Sequence, residues 1–247
     1  MPEEIVPRVH RLGSKFVNFY AVEAEGRLTI VDAGMPGYAD TLEEDLRAIG
    51  RTPADVEAVI LTHSDSDHTG IVLTLREAGA RVLIHSADEA SLAKPGPKGG
   101  DASPLHLLPV LWRPTLWQFA VALARSGGMK LPKIEHPETF ADGDELDVPG
   151  RPRVVHTPGH TPGHCVFHFA EHGALIVGDA LCTWNPITGS RGIQLMPRQM
   201  NVSDAQALES LARFEALEAD VVLVGHGEPY RERPRVAAAG AREKARG

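Results

Sequence analysis

Apolar residues along this chain come mostly in short runs broken by Gly, Pro, Asp and Ser, the punctuation of β-strands. Between several of these runs lie stretches with the three-to-four-residue spacing of amphipathic helices. The runs at 5–12, 16–23 and 27–31 are rich in Val, Ile, Phe and Tyr and read as three strands separated by Gly13-Ser14 and Glu25-Gly26. Ala39, Leu42, Leu46 and Ile49 mark a helix over 39–49 that stops at Gly50. A buried strand at 56–61, a helix at 69–78 and a strand at 81–84 follow. After residue 138 the strand rhythm returns at 138–140, 145–148, 154–156, 165–169, 174–177 and 221–224. Ala207, Leu208, Leu211 and Phe214 form the apolar stripe of a helix over 203–217. The Ala-rich tail after Pro234 reads as a terminal surface helix.

One segment breaks the alternation. Residues 93–104 form a Lys/Pro/Gly loop, and 105–127 hold an apolar cluster whose second part, with Leu116, Phe119, Ala120 and Leu123 on one face, is a short helix closed by Gly127-Gly128. The insertion, about 93–130, is either a lid or wall over a site or a surface that packs on the core or on a second subunit, the latter giving a homodimer. No apolar run is long enough to span a bilayer, and nothing in the pattern divides 1–247 into more than one domain. Strands alternating with helices predict an α/β architecture.

Composition narrows the function classes. With 24 glycines and 19 prolines among 247 residues, the chain suits a loop-rich α/β enzyme better than a helical bundle. A net charge of −8 disfavours nucleic acid, which needs clustered Lys and Arg. Two cysteines, Cys165 and Cys182, are too few for a disulfide framework, and the opening Met1-Pro2-Glu3-Glu4 is no signal peptide. The expectation is a cytoplasmic protein acting on a small molecule.

The chemistry concentrates in Thr62-His63-Ser64-Asp65-Ser66-Asp67-His68-Thr69-Gly70, directly after the strand at 56–61. Open α/β sheets carry their sites at the carboxyl ends of strands. In an extended segment, side chains two apart lie roughly 6.5 Å from each other, too far to share one ion with bonds of about 2 Å. The loop must therefore curl or serve two ions; a helix-capping turn would explain Ser66 or Asp67 but not the flanking histidines. The same grammar of apolar strand, turn and ligand-type side chain recurs at Val31-Asp32-Ala33-Gly34, at His156 to His164, at Gly178-Asp179 and at Gly225-His226. Asp32 either starts a turn or orients a ligand histidine from behind. His85, just after a strand, carries no assignment.

With these five elements in order, the chain resembles the metallo-β-lactamase-fold hydrolase superfamily over nearly its whole length. The resemblance implies an αββα sandwich of two similar halves with two divalent metal ions where both sheets end. It implies that His63 and His160 bind the first metal, that Asp67, His68 and His226 bind the second, and that Asp179 bridges them. His164, like His156, His168 and His172, would be structural.

The family's usual loop is H-x-H-x-D-H, and here Asp65 stands in the middle position. A third carboxylate makes the first metal a weaker Lewis acid and moves preference from zinc toward manganese or iron. The implied activity is a metal-dependent hydrolase in which a bridging hydroxide attacks an acyl ester, lactone or thioester, with Asp67 steering the water's proton. Trp112 and Trp117 of the insertion and Trp184 of the loop 183–201 are the expected substrate contacts. A β-lactam hydrolase, or an iron-dependent persulfide-type dioxygenase on the same fold, is the competing reading.

Overall fold

The computed structural model describes all residues except 97, 103, 129–132 and 247. Its first sheet runs in the order β1 (Glu3–Val6), β2 (Val9–Gly13), β3 (Asn18–Ala24), β4 (Arg27–Val31), β5 (Val56–Ile60), β6 (Arg81–His85) and β7 (Glu138–Phe140). The first four strands are an antiparallel meander, and β4 to β7 are parallel. The helices α1 (Ala39–Ala48), α2 (Val72–Glu77) and α3 (Glu89–Ala93) fall within the connections of that parallel part. The second sheet pairs β13 (Val221–Val224) with β10 (Ala174–Gly178), then β9 (Cys165–Phe169), then β8 (Arg153–His156).

The two sheets face each other across one apolar layer, in which Tyr20, Ile60 and Leu83 meet Phe167, Phe169 and Ile176. The outer face of the first sheet is covered by α1 and α2 through Leu42, Leu46 and Leu75. That of the second is covered through Leu211, Phe214, Ala237 and Ala241 by α5 (Asp204–Phe214) and α6 (Pro234–Arg246). This is an αββα sandwich. Side chains alternate across a strand, so in β10 Ala174 and Ile176 point into the central layer while Leu175 and Val177 point to the helices. Burial on both faces is why these strands read as unbroken apolar runs.

Several elements differ from the sequence expectation. The strand expected at 5–12 is a hairpin, because Arg8 takes a left-handed φ of 66° and folds β1 back onto β2. Residues 145–148 make only an isolated bridge between Glu145 and Arg153. The loop 183–201 contains most of a two-stranded ribbon, β11 (Cys182–Trp184) with β12 (Arg191–Gln194). In the insertion, a 3-10 helix over Pro104–Val110 precedes α4 (Pro114–Arg125).

Candidate metal centre

Each strand exit delivers one part of a cluster. After β5 the chain leaves the sheet through Leu61 and curls so that the backbone N–H of His68 donates to the carbonyl of Asp65 at 3.0 Å. This curl brings His63 and His68, which a straight segment would hold apart, to ring centroids 4.3 Å from each other. From the second sheet come His160, in the loop joining β8 to β9, Asp179 after β10 and His226 after β13.

The tautomers follow from what lies behind each ring. Asn201 donates its amide hydrogens to the carbonyl of Met196 and to Asp204, so its Oδ1 accepts from His160 Nδ1 at 3.0 Å. His226 Nδ1 donates to the carbonyl of Phe16 at 2.6 Å, and His68 Nδ1 to Asp32 Oδ2 at 2.9 Å. Thr62 Oγ1 donates to Asp32 and thereby accepts from His63 Nδ1 at 2.8 Å. Fixing Nδ1 as the donor leaves Nε2 of all four rings as the group turned inward, the arrangement that metal-binding histidines adopt.

The inward atoms form two adjoining sets. Among the described residues, His63, Asp65 and His160 place one donor atom each within 4.8 Å of one another, and so do Asp67, His68 and His226. Asp179 lies between the sets. Its Oδ2 is 3.5 Å from His160 Nε2, 3.2 Å from His226 Nε2 and 4.0 Å from His63 Nε2, and its Oδ1 is 3.4 Å from His68 Nε2. Asp65 Oδ2 is 3.0 Å from His160 Nε2 and 3.5 Å from His63 Nε2. Asp67 Oδ2 is 3.6 Å from His226 Nε2 and 3.9 Å from His68 Nε2.

These groups fit divalent cations. Nε2 of His63, His68 and His226 and Oδ1 of Asp179 are buried without a hydrogen-bond partner. An unsatisfied buried polar atom costs about 1–3 kcal/mol, and four of them gathered in adjoining positions are suited to a compensating cation. Charge agrees. Burial opposes a charged ring at His68, yet Asp179, Asp32 and Asp67 outweigh it and push its pKa up to about 10. Burial also works against ionised Asp179, but His226 and His68 hold its carboxyl well below the usual carboxylate range. In both cases the pocket favours positive charge among its carboxylates, and a metal ion supplies that charge by displacing protons.

Asp32 stands behind the cluster. It is 2% exposed, takes a left-handed φ of 62°, and accepts from the backbone N–H of Thr62 at 2.8 Å as well as from His68. Asn tolerates that backbone conformation, so Asp32→Asn tests the carboxylate without straining the turn. The amide must direct NH2 at the Thr62 donors or at His68. We expect zinc affinity to fall about 10- to 100-fold, the effect of losing an outer hydrogen-bond partner, with the melting transition of the metal-free protein retained; competition against a chromophoric chelator measures it.

Of the other histidines, His164 adjoins the cluster while His85, His156, His168 and His172 engage groups outside it. His156 and His168 turn Nε2 to the carbonyls of Pro162 and Glu218, each at 2.8 Å, and His172 to that of Glu23 at 3.2 Å. His85 stacks on His156 with ring centroids 4.2 Å apart. His164 is buried with its ring 5.3 Å from that of His63, and its Nδ1 faces Thr157 Oγ1. Burial, reinforced by His63 and His160, holds the pKa of His164 well below that of a free imidazole.

Access to the cluster runs past both polar and apolar groups. A cavity of about 380 Å³ opens over Asp65 and Asp67 and is lined by Ser64, Ser66, Ser91 and Lys98 together with Pro95, Pro162 and Val202. Trp184 lines a different cavity of about 470 Å³ with Phe16 and Arg191. Trp112 and Trp117, expected at the substrate, are 69% and 55% exposed and border neither cavity. Their indole N–H groups donate to the carbonyls of Pro109 and Leu111, so they brace the insertion itself. The insertion reaches the centre through Phe119, whose ring packs 5.6 Å from that of His226. Sequence reasoning missed Lys98, whose ammonium pairs with Asp65 and lies 2.9 Å from His160 Nε2.

Comparison with known proteins identifies the family. The family model of the metallo-beta-lactamase superfamily matches residues 12–226. The protein YobT of Bacillus subtilis (strain 168) is 28% identical over 217 residues, 86% of this chain and 83% of its own length. A hydroxyacylglutathione hydrolase of Cereibacter sphaeroides is 28% identical over 228 residues, 92% of this chain and 67% of its own. Among solved structures, a metallo-beta-lactamase family protein from Thermus thermophilus superposes with a TM-score of 0.66 at 25% identity, covering 98% of this chain and 81% of that one. A chain whose strand exits gather these imidazoles and carboxylates, and whose sequence matches the family model over most of its length, belongs to the metallo-beta-lactamase superfamily.

Proposed function

We propose that the protein is a metal-dependent hydrolase that cleaves a small acyl ester, lactone or thioester. The observation that carries this reading is the set of four unsatisfied buried donor atoms, from both sheets, beside two carboxylates, Asp65 and Asp67, that line a cavity. His63, Asp65 and His160 would hold one divalent ion, Asp67, His68 and His226 another, with Asp179 shared. When bound, such ions lower the pKa of a coordinated water toward neutrality and polarise the acyl oxygen.

The residues themselves do the rest. The carboxylate of Asp67 borders the cavity beside His226, and with Oδ2 turned to the His68–His226 position its other oxygen can accept the attacking water's proton and return it to the leaving group. Asp32, Asn201 and the carbonyl of Phe16 keep their imidazoles in one tautomer and one orientation through turnover. Ser64, Ser66 and Ser91 line the cavity beside Pro95, Pro162 and Val202, a surface that suits a substrate with both polar and apolar parts. The hydroxyacylglutathione hydrolase relative supports including thioesters in the substrate class.

The test is turnover of an ester, lactone, thioester and β-lactam panel by the full-length protein after dialysis against a chelator and resupply of zinc, manganese or iron(II). We expect hydrolysis of an ester, lactone or thioester that vanishes on chelation, returns with metal, and is lost in His160→Ala of unchanged circular dichroism. Turnover indifferent to chelation, or none on any of those three classes with metal present, would overturn the reading.

A further inference from the structure

The first metal position differs from the second in holding a cation of the chain's own. Lys98 Nζ pairs with Asp65 Oδ2, lies 2.9 Å from His160 Nε2, and donates to the carbonyl of Met200 at 3.2 Å. Because Asn201 fixes His160 Nδ1 as a donor, the Nε2 facing Lys98 offers a lone pair. Two of the three groups that would hold the first ion are thus already engaged by an ammonium group.

Lys98 is not a stray surface lysine. Its side chain is 21% exposed, and its loop is tied down close by. The Asp101 backbone N–H donates to the carbonyl of Val202 at 3.0 Å, and the Asp101 carboxylate accepts from Arg198 at 2.9 Å and from the backbone N–H of Asp204 at 3.0 Å. Gly100 fits this anchor with a left-handed φ of 67°, and a Cβ there would lie 2.0 Å from the Val202 carbonyl oxygen. Lys98 also lines the cavity over Asp65, so that cavity is open to its side chain.

Charge counting points the same way. Asp65, Asp67 and Asp179 bring three negative charges, which one divalent ion and one ammonium neutralise. We propose that Lys98 is a built-in competitor for the first metal position: the Asp67–His68–His226 position fills first and tightly, and the first position fills only when Lys98 swings out into the cavity. This rests on the metal-dependent reading above. It makes occupancy of the pair of sites depend on the free metal level, so that the singly loaded form prevails where divalent ions are scarce.

The experiment is zinc titration of full-length wild type, Lys98→Met and Lys98→Gln, followed by calorimetry and by equilibrium dialysis with elemental analysis. For wild type we expect one tight and one weak equivalent, and for either variant a weaker equivalent tightened about 10- to 100-fold, the range that groups around a metal site command. In wild type, acetylation of Lys98 read by peptide mass spectrometry is expected to rise with the second equivalent of zinc and not with the first. This labelling needs no variant and decides the matter should both substitutions unfold the protein. Two equal equivalents in wild type, a first position weakened by the substitutions, or labelling insensitive to the second equivalent would overturn the role of Lys98 while leaving metal binding intact. Absence of zinc binding in wild type and variants alike would overturn the hydrolase reading itself, and the Lys98 proposal with it.

Discussion

Asp179→Asn is expected to abolish turnover to within about a thousandth of wild type while the chain still folds. No other carboxylate lies within 4.0 Å of four imidazole nitrogens among the described residues, and it serves both ligand sets. The substitution keeps shape and removes charge. Charge stabilisation of about 4 kcal/mol, in the range a metal site supplies, corresponds to about a thousandfold in rate. Zinc content after dialysis is expected to fall together with kcat/KM, because Asn offers only one neutral oxygen to two positions. A variant retaining wild-type zinc and activity would show that the two sets act without a shared ligand.

Gly225→Ala is expected to cost at least about a hundredfold in activity, the scale of a misplacement near 1 Å at a catalytic group. The added methyl would lie 2.3 Å from Asp179 Oδ1 and 2.7 Å from His68 Cε1, both on buried side chains. Its harm is therefore steric and local to the centre. Overpacking of this kind costs about 1–3 kcal/mol of stability, so the melting temperature is expected to fall modestly while metal content falls steeply. Circular dichroism melting and elemental analysis on one preparation separate the two effects.

That glycine also shows why much of the centre was legible in the sequence. A strand that ends in glycine and then a ligand-type side chain reports that something occupies the space a Cβ would take. Gly178 before Asp179 has the same reason, since a Cβ there would meet Thr62 Oγ1 at 2.5 Å. The residues of the β5 exit are readable because two histidines and two aspartates in one short turn exceed what capping needs.

Other features leave no comparable trace. Lys98 sits in a Lys/Pro/Gly stretch without periodicity, and only the anchor through Asp101 and Val202 aims it at Asp65. The β1–β2 turn lacks the glycine that usually marks a hairpin, because Arg8 itself adopts the left-handed conformation. Apolar character alone does not place Trp112 and Trp117: it predicts burial or contact, and here the indoles are exposed and donate to local carbonyls. The ribbon β11–β12 is short and irregular in register, too brief for alternation to register as a pattern.

The inward-facing groups are divided between the two leaves of the sandwich: His63, Asp65, Asp67 and His68 follow a strand of the first sheet, while His160, Asp179 and His226 follow strands of the second. A cation held by both groups acts as a rivet between the leaves, and its removal leaves only apolar packing and hydrogen bonds to keep them in register. Free ion at a thousand times its dissociation constant adds about 4 kcal/mol to the folded state. Thermal robustness in this protein is then partly a property of the buffer, and preparations purified with and without chelator amount to materials of different toughness.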